Sequence, residues 1–220
     1  MREVVLDTET TGLSPDRGDR VVEIGCVELV NFIPTGSTFQ TYLDPEMPMP
    51  AEALRIHGLT DDLLRGQPKF AEIADTFLDF IRDATVIAHN ADFDIKFLNA
   101  ELGLAERPPI ASKILDSVRL ARRKYPGAQV SLDALCRRFE IDTADRTKHG
   151  ALLDAQLLAQ VYLELVGGRQ PGLTLTSAQA AKERPAEREV RPARAHGPSA
   201  AEREAHEAFL KSLNEPVWLW

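Results

Sequence analysis

Several ordinary features are scarce in this 220-residue chain, and each scarcity removes a class of function. Cysteine occurs twice, at Cys26 and Cys136. Two cysteines with no partner spacing make neither a disulfide framework nor a zinc site, so both are expected to be reduced and buried. Aromatic residues make up 6% of the chain, and both tryptophans fall in its last three residues. No apolar run approaches the ~18 residues of a membrane-spanning helix. The first residues, Met1-Arg2-Glu3-Val4-Val5-Leu6-Asp7, lack the pattern of a secretory leader. A soluble, cytoplasmic protein is the expectation. A basic excess is also missing: the formal net charge is −8, and 27 of the 34 acidic but only 18 of the 26 basic residues precede Arg169. A free-standing nucleic-acid binder normally carries the opposite balance. Either nucleic acid is not the substrate, or cations and a partner bring it in. Nor is there a glycine-rich phosphate loop.

What is present is an α/β pattern. Glu3 to Leu6 and Arg20 to Val30 read as strands around a turn at Asp16 to Asp19, and Ser37 to Leu43 as a third strand stopped by the proline-rich segment 45–50. Apolar spacing predicts helices at Phe70 to Ile81, Asp92 to Leu102, Ser131 to Phe139 and Gly150 to Val166, with a short buried strand at Thr85 to Ala88. A mixed sheet with helices on its faces follows. Gly167-Gly168 ends the last of these helices and marks a boundary, giving a domain of residues 1–168. Beyond it, 169–176 is a short segment, 177–200 a flexible linker too poor in large apolar residues to fold, and 201–220 a tail where order returns.

The chemistry concentrates in acids at the ends of these elements. Asp7 and Glu9 are two apart in an extended chain, so both carboxylates face one side and can share a cation. Gly12, after Thr10-Thr11, lets backbone approach a ligand closely. Asp94 follows the fourth strand in His89-Asn90-Ala91-Asp92-Phe93-Asp94, and Asp154 opens the last helix in His149-Gly150-Ala151-Leu152-Leu153-Asp154. Four gathered carboxylates repel one another unless cations neutralise them. Oxygen donors suit Mg²⁺ or Mn²⁺, and two such ions about 4 Å apart are a standard device for phosphodiester cleavage. His149 is the candidate general base. Five residues from Asp154, it would stand about 140° away on an ideal helix at ~100° per residue, so it belongs in the loop before the helix, beside the metals and not among their ligands.

These three segments, with Ile56-His57-Gly58-Leu59-Thr60 and Ser131-Leu132-Asp133-Ala134-Leu135-Cys136, resemble the motifs of the DEDD exonuclease superfamily in its histidine-containing branch, and within it the proofreading exonucleases of bacterial replicases. The resemblance covers residues 3 to 168 and implies a ribonuclease H-like, five-stranded fold and 3′→5′ hydrolysis at a DNA 3′ end. It implies Asp7, Glu9 and Asp154 as direct ligands of two Mg²⁺ or Mn²⁺ ions, Asp94 acting partly through water, and His149 as the base. Glu52 and His57 would contact the terminal nucleotide, with Thr10, Thr11 and Leu13 lining its pocket; Glu52 equally fits an exposed helix acid.

The implied partners are the polymerase subunit, the sliding clamp and, as a further candidate, a small accessory subunit. Gln170, Leu173 and Leu175 resemble a short clamp-docking motif, or are plain linker. Phe209, Leu213, Trp218 and Trp220 would anchor the polymerase, or pack back onto the domain. Two other readings stay open at this point: an RNA-trimming exonuclease of the same superfamily, and a structural subunit bridging polymerase and clamp.

Overall fold

The computed structural model describes residues 1–144, 149–167 and 197–213. Five strands form one mixed sheet in the order β3-β2-β1-β4-β5, where β1 is Arg2–Thr10, β2 Val21–Val30, β3 Ile33–Tyr42, β4 Thr85–Ala88 and β5 Ile114–Asp116. The first three form an antiparallel meander, while β4 and β5 run parallel to β1. This is the ribonuclease H-like arrangement that the resemblance implies. β1 is central, and its alternating residues feed two cores. Val4 and Leu6 pack with Ile24 and Cys26 of β2 under the helices α3 (Phe70–Ile81) and α4 (Ala91–Leu104). Val5 packs on the other face with Val27, Leu29 and Ile87 against α7 (Ala151–Val166).

Strand β1 runs four residues beyond the expected Leu6, because pairing with β2 satisfies the backbone of the polar stretch Asp7 to Thr10. The β1–β4 ladder, by contrast, stops at Val5. From Leu6 onward one edge of β1 is released from the sheet, and the crevice that opens at the carboxyl ends of parallel strands is where α/β folds place ligands. β3 begins at Ile33, earlier than the expected Ser37, after a turn in which Asn31 and Phe32 both adopt positive φ. Pro34 is tolerated there because β3 is an edge strand.

Helices α1 (Ala51–His57), α2 (Asp61–Leu64) and α5 (Ser117–Lys124) are additions to the predicted elements, and β5 is the fifth strand that the resemblance implies. With α6 (Leu132–Arg138), α5 covers the outer side of α7 through Ala121, Leu135 and Cys136. Nine of the 16 residues of α7 are therefore buried, on two sides of the helix.

Packing divides the chain into two units, Met1–Leu173 and Thr174–Trp220. In the second, α8 (Ala200–Ser212) starts on a Ser199–Glu202 capping box. The segment 169–176 and residues 177–196 of the linker expected at 177–200 lie outside the described residues. Among the described residues no helix is long and apolar enough to cross a membrane.

Candidate active site

The site forms where β1 leaves β4 and α7 begins. Glu9 near the end of β1, Asp154 in the first turn of α7 and His149 in the loop before it present donor atoms within 4.8 Å of one another. His149 Nδ1 lies 3.1 Å from Asp154 Oδ2. Asp154 and Glu9 are buried, while the His149 side chain is half exposed. Asp7 stands two residues before Glu9, on the same strand face. Carboxylates at this spacing suit a hard divalent cation, with the imidazole beside them.

Asp94 reaches the same strand end from the α3–α4 face. Its Oδ1 accepts from the Thr8 hydroxyl at 2.7 Å, and the Thr8 backbone amide also donates to the carboxylate. Burial pushes the Asp94 carboxyl up to about 7, against the pull of the Thr8 hydrogen bonds. A cation bound beside it would offset this penalty and favour the ionised carboxylate.

Beside Glu9 opens a cavity of about 370 Å³ lined by Thr10, Thr11, Gly12, Leu13, Glu52, His57 and Phe93 among others. All five residues expected to touch a terminal nucleotide thus border one space. Leu13 is 85% exposed at its rim. His57 is buried, and its Nδ1 accepts from Leu59 N at 3.0 Å, which puts the ring proton on Nε2. Phe93 is an addition to the expected lining. Gly12 has a reason other than the one expected from sequence: a Cβ there would meet the Asp19 carboxylate at 2.4 Å, and that carboxylate accepts from Ser14 N.

Further residues brace the site. Glu23 on β2 accepts from Ala151 N at 3.1 Å, and Arg20 pairs with Glu101 of α4. His89 Nδ1 lies 2.9 Å from the hydroxyl of buried Ser117, while Asp116 accepts from Asn90 N; together they hold the β4–α4 turn that presents Asp94. Burial holds the His89 imidazole below its ordinary value. None of these was among the candidates from sequence, because each acts through a partner distant along the chain.

Both cysteines are buried, as expected. Of the expected partner contacts, Phe209 and Leu213 are exposed in the second unit, at and just past the end of α8. Gln170, Leu173, Leu175, Trp218 and Trp220 lie outside the described residues.

A family model described as Exonuclease matches residues 4–162. DNA polymerase III subunit epsilon of Rickettsia felis is 45% identical over 222 residues, covering 97% of each chain. Its counterpart in Escherichia coli K12 is 48% identical over 176 residues, 76% of this chain and 72% of that one. Among solved structures, the nuclease domain of 3′hExo, a DEDDh family member bound to rAMP, superposes with a TM-score of 0.66 at 21% identity, covering 75% of this chain and 91% of that domain, a likeness of fold. With identity of this level running the length of both chains, the protein belongs to the exonuclease family and, within it, to the DNA polymerase III epsilon subunits.

Proposed function

We propose that this chain is the proofreading 3′→5′ exonuclease of a bacterial replicative DNA polymerase, releasing nucleoside monophosphates from mismatched DNA 3′ ends. The observation that carries this reading is the meeting of Glu9, His149 and Asp154 within 4.8 Å, beside a nucleotide-sized cavity. The family works with divalent metal, and Asp7, Glu9, Asp94 and Asp154 are read as holding two ions, Mg²⁺ or Mn²⁺. When bound, the ions supply charge neutralisation at the phosphate and lower the pKa of water.

The chain's own groups do the rest. The cavity takes the terminal nucleoside, with Leu13 against the base, the Thr10–Thr11 backbone at the sugar, and Glu52 and His57 at its polar edge. His149 takes the proton of the attacking water. With Asp154 at its Nδ1, Nε2 is the basic nitrogen, an orientation like that of other carboxylate–histidine pairs. A paired 3′ end must fray before it enters, and a mismatched end frays at lower cost, so selectivity arises in the DNA. The acidic domain binds DNA weakly by itself, which protects paired ends. A tether to a polymerase then supplies effective concentration.

The DNA polymerase III alpha subunit is the proposed partner of Phe209, Leu213, Trp218 and Trp220. The sliding clamp is the proposed partner of Gln170, Leu173 and Leu175, with a small accessory subunit a further candidate and the cytoplasm the place of action. Residues 1–168 would form the nuclease domain, and 201–220 the polymerase-binding tail.

The test is nucleotide release from a 3′-mismatched primer with Mg²⁺ and with chelator, for wild type and Asp154→Ala. Metal-dependent release, lost in the variant and slower on a paired primer, is the expected result. No release by wild type would favour a bridging subunit, and release from RNA alone a trimming enzyme. Deleting residues 176–220 should abolish polymerase binding and spare the nuclease.

A further inference from the structure

We propose that Glu23 is a positioning residue: its carboxylate caps the first backbone amide of α7 and so sets where Asp154 stands relative to Glu9. This rests on the metal-dependent reading above. The start of a helix leaves backbone N–H groups without intrahelical acceptors. Gly150, at the N-cap of α7, has no side chain to offer one. Glu23 supplies the acceptor from another element, 128 residues away: its Oε2 accepts from Ala151 N at 3.1 Å. Its other oxygen accepts from Gln40 Nε2 at 2.8 Å. Both oxygens of this buried carboxylate thus accept from N–H donors, one of them the α7 amide it caps.

Two independent features tie this contact to the site. In the β1–β2 ladder Glu23 lies directly opposite Glu9. Residues so paired share a face, with Cβ atoms about 4.5–5.5 Å apart. The residue that holds the start of α7 is therefore the cross-strand neighbour of the residue that Asp154 must meet. Two positions along the same face, Gly25 presses on the same helix turn: a Cβ there would stand 2.2 Å from Ala151 C and Leu152 N. Helix α7 is seated on β2 by one close backbone contact and one charged cap, and a carboxylate at a helix N-terminus also gains from the helix dipole. Asp154 lies in the first turn beyond that seat. Without the cap the first turn is free to fray, and Asp154 loses its fixed distance to Glu9.

The experiment compares Glu23→Met, which keeps length and removes the acceptor, with Glu23→Gln, which keeps one. Four quantities are read on the full chain: hydrogen exchange of the Ala151 amide, Mn²⁺ affinity by calorimetry, kcat and KM on a mismatched primer, and the urea midpoint. In the Met variant Ala151 should exchange faster, and Mn²⁺ should bind about tenfold more weakly, the low end for a residue that orients metal ligands. Its kcat should fall with KM within about twofold of wild type. The Gln variant should keep Ala151 protected and Mn²⁺ affinity near wild type. A folded Met variant with wild-type Mn²⁺ affinity would overturn the proposal. So would a Gln variant that keeps Ala151 protected yet binds Mn²⁺ tenfold more weakly, a result that decides the matter even if the Met variant does not fold. A wild-type protein without metal-dependent nuclease activity would sink the functional reading instead, and leave the exchange result at Ala151 standing.

Discussion

Arg20 grips Glu101 with both arms of its guanidinium, Nε at 2.8 Å and Nη2 at 2.9 Å from the two carboxylate oxygens. Glu101 is 3% exposed and also accepts from Val21 N. Arg20 is meanwhile tied by its own backbone to Thr11, whose hydroxyl accepts from Arg20 N and whose amide donates to Arg20 O. One residue thus joins the loop that lines the cavity beside Glu9 to the helix that carries Asp94. Removing the cation while leaving the buried anion is the costly way to break such a pair. Arg20→Ala should lower stability by about 3–5 kcal/mol, seen as a drop in the urea midpoint. Arg20→Lys should recover little, since an ammonium cannot form the fork. A variant with wild-type stability would refute this role.

The raised Asp94 carboxyl has a signature in stability. In the native protein it titrates near 7, against an ordinary 3.8. Between these values the native state holds a proton that the unfolded chain has released, so metal-free stability falls as pH rises through that window. The contribution is fully present below about pH 4 and lost above about pH 7. It amounts to as much as ~4 kcal/mol, at about 1.36 kcal/mol per pH unit. Melting curves in chelator at about pH 5 and pH 8 should show this slope in wild type and a shallower one in Asp94→Asn. Parallel profiles would count against it. Mg²⁺ should stabilise wild type more at the higher pH.

Gly25 should tolerate no side chain. A Cβ placed 2.2 Å from the Ala151 carbonyl carbon must push backbone, not a flexible side-chain tip. Gly25→Ala should therefore displace the start of α7. The expected result is kcat down by about tenfold or more, since misplacement by ~1 Å can cost about a hundredfold, together with a lower melting temperature. Full activity in this variant would mean that the strand and helix can separate without disturbing Asp154.

Replacing His149 separates the proposed base from the proposed metal ligands. His149→Ala should lower kcat by about 10²–10⁴-fold, the usual worth of a positioned general base. Mn²⁺ affinity by calorimetry should change little, because the carboxylates remain. If Mn²⁺ binding is lost along with activity, the ring is a ligand and not the base.

How much of this could be read from the chain alone depended on how each signal was encoded. The apolar run of β2 and the spacing of Phe70, Ala74, Phe77 and Ile81 in α3 announced their elements. Helix α5 did not: only Ser117 and Ala121 are buried in it, too small to mark a periodic apolar face among its arginines. Strand β5 has three residues, too few for any period. Helix α1 buries only Ala53 and His57, for the same outcome as α5. At the site, the acids stood out because they cluster at ends of predicted elements. Glu23 did not, since it sits inside the apolar run Val21-Val22-Glu23-Ile24 and its partner Ala151 is 128 residues away. Glu101 likewise looks like an ordinary helix acid until Arg20 is placed beside it.

The late position of α7 along the chain has a consequence for the protein's own synthesis. Glu9 precedes its neighbours His149 and Asp154 by 140 and 145 residues, so it leaves the ribosome well before they do. No truncated chain that stops short of α7 can hold the three together. On the proposed roles of these three residues, cutting begins only once the final helix of the sheet domain has docked.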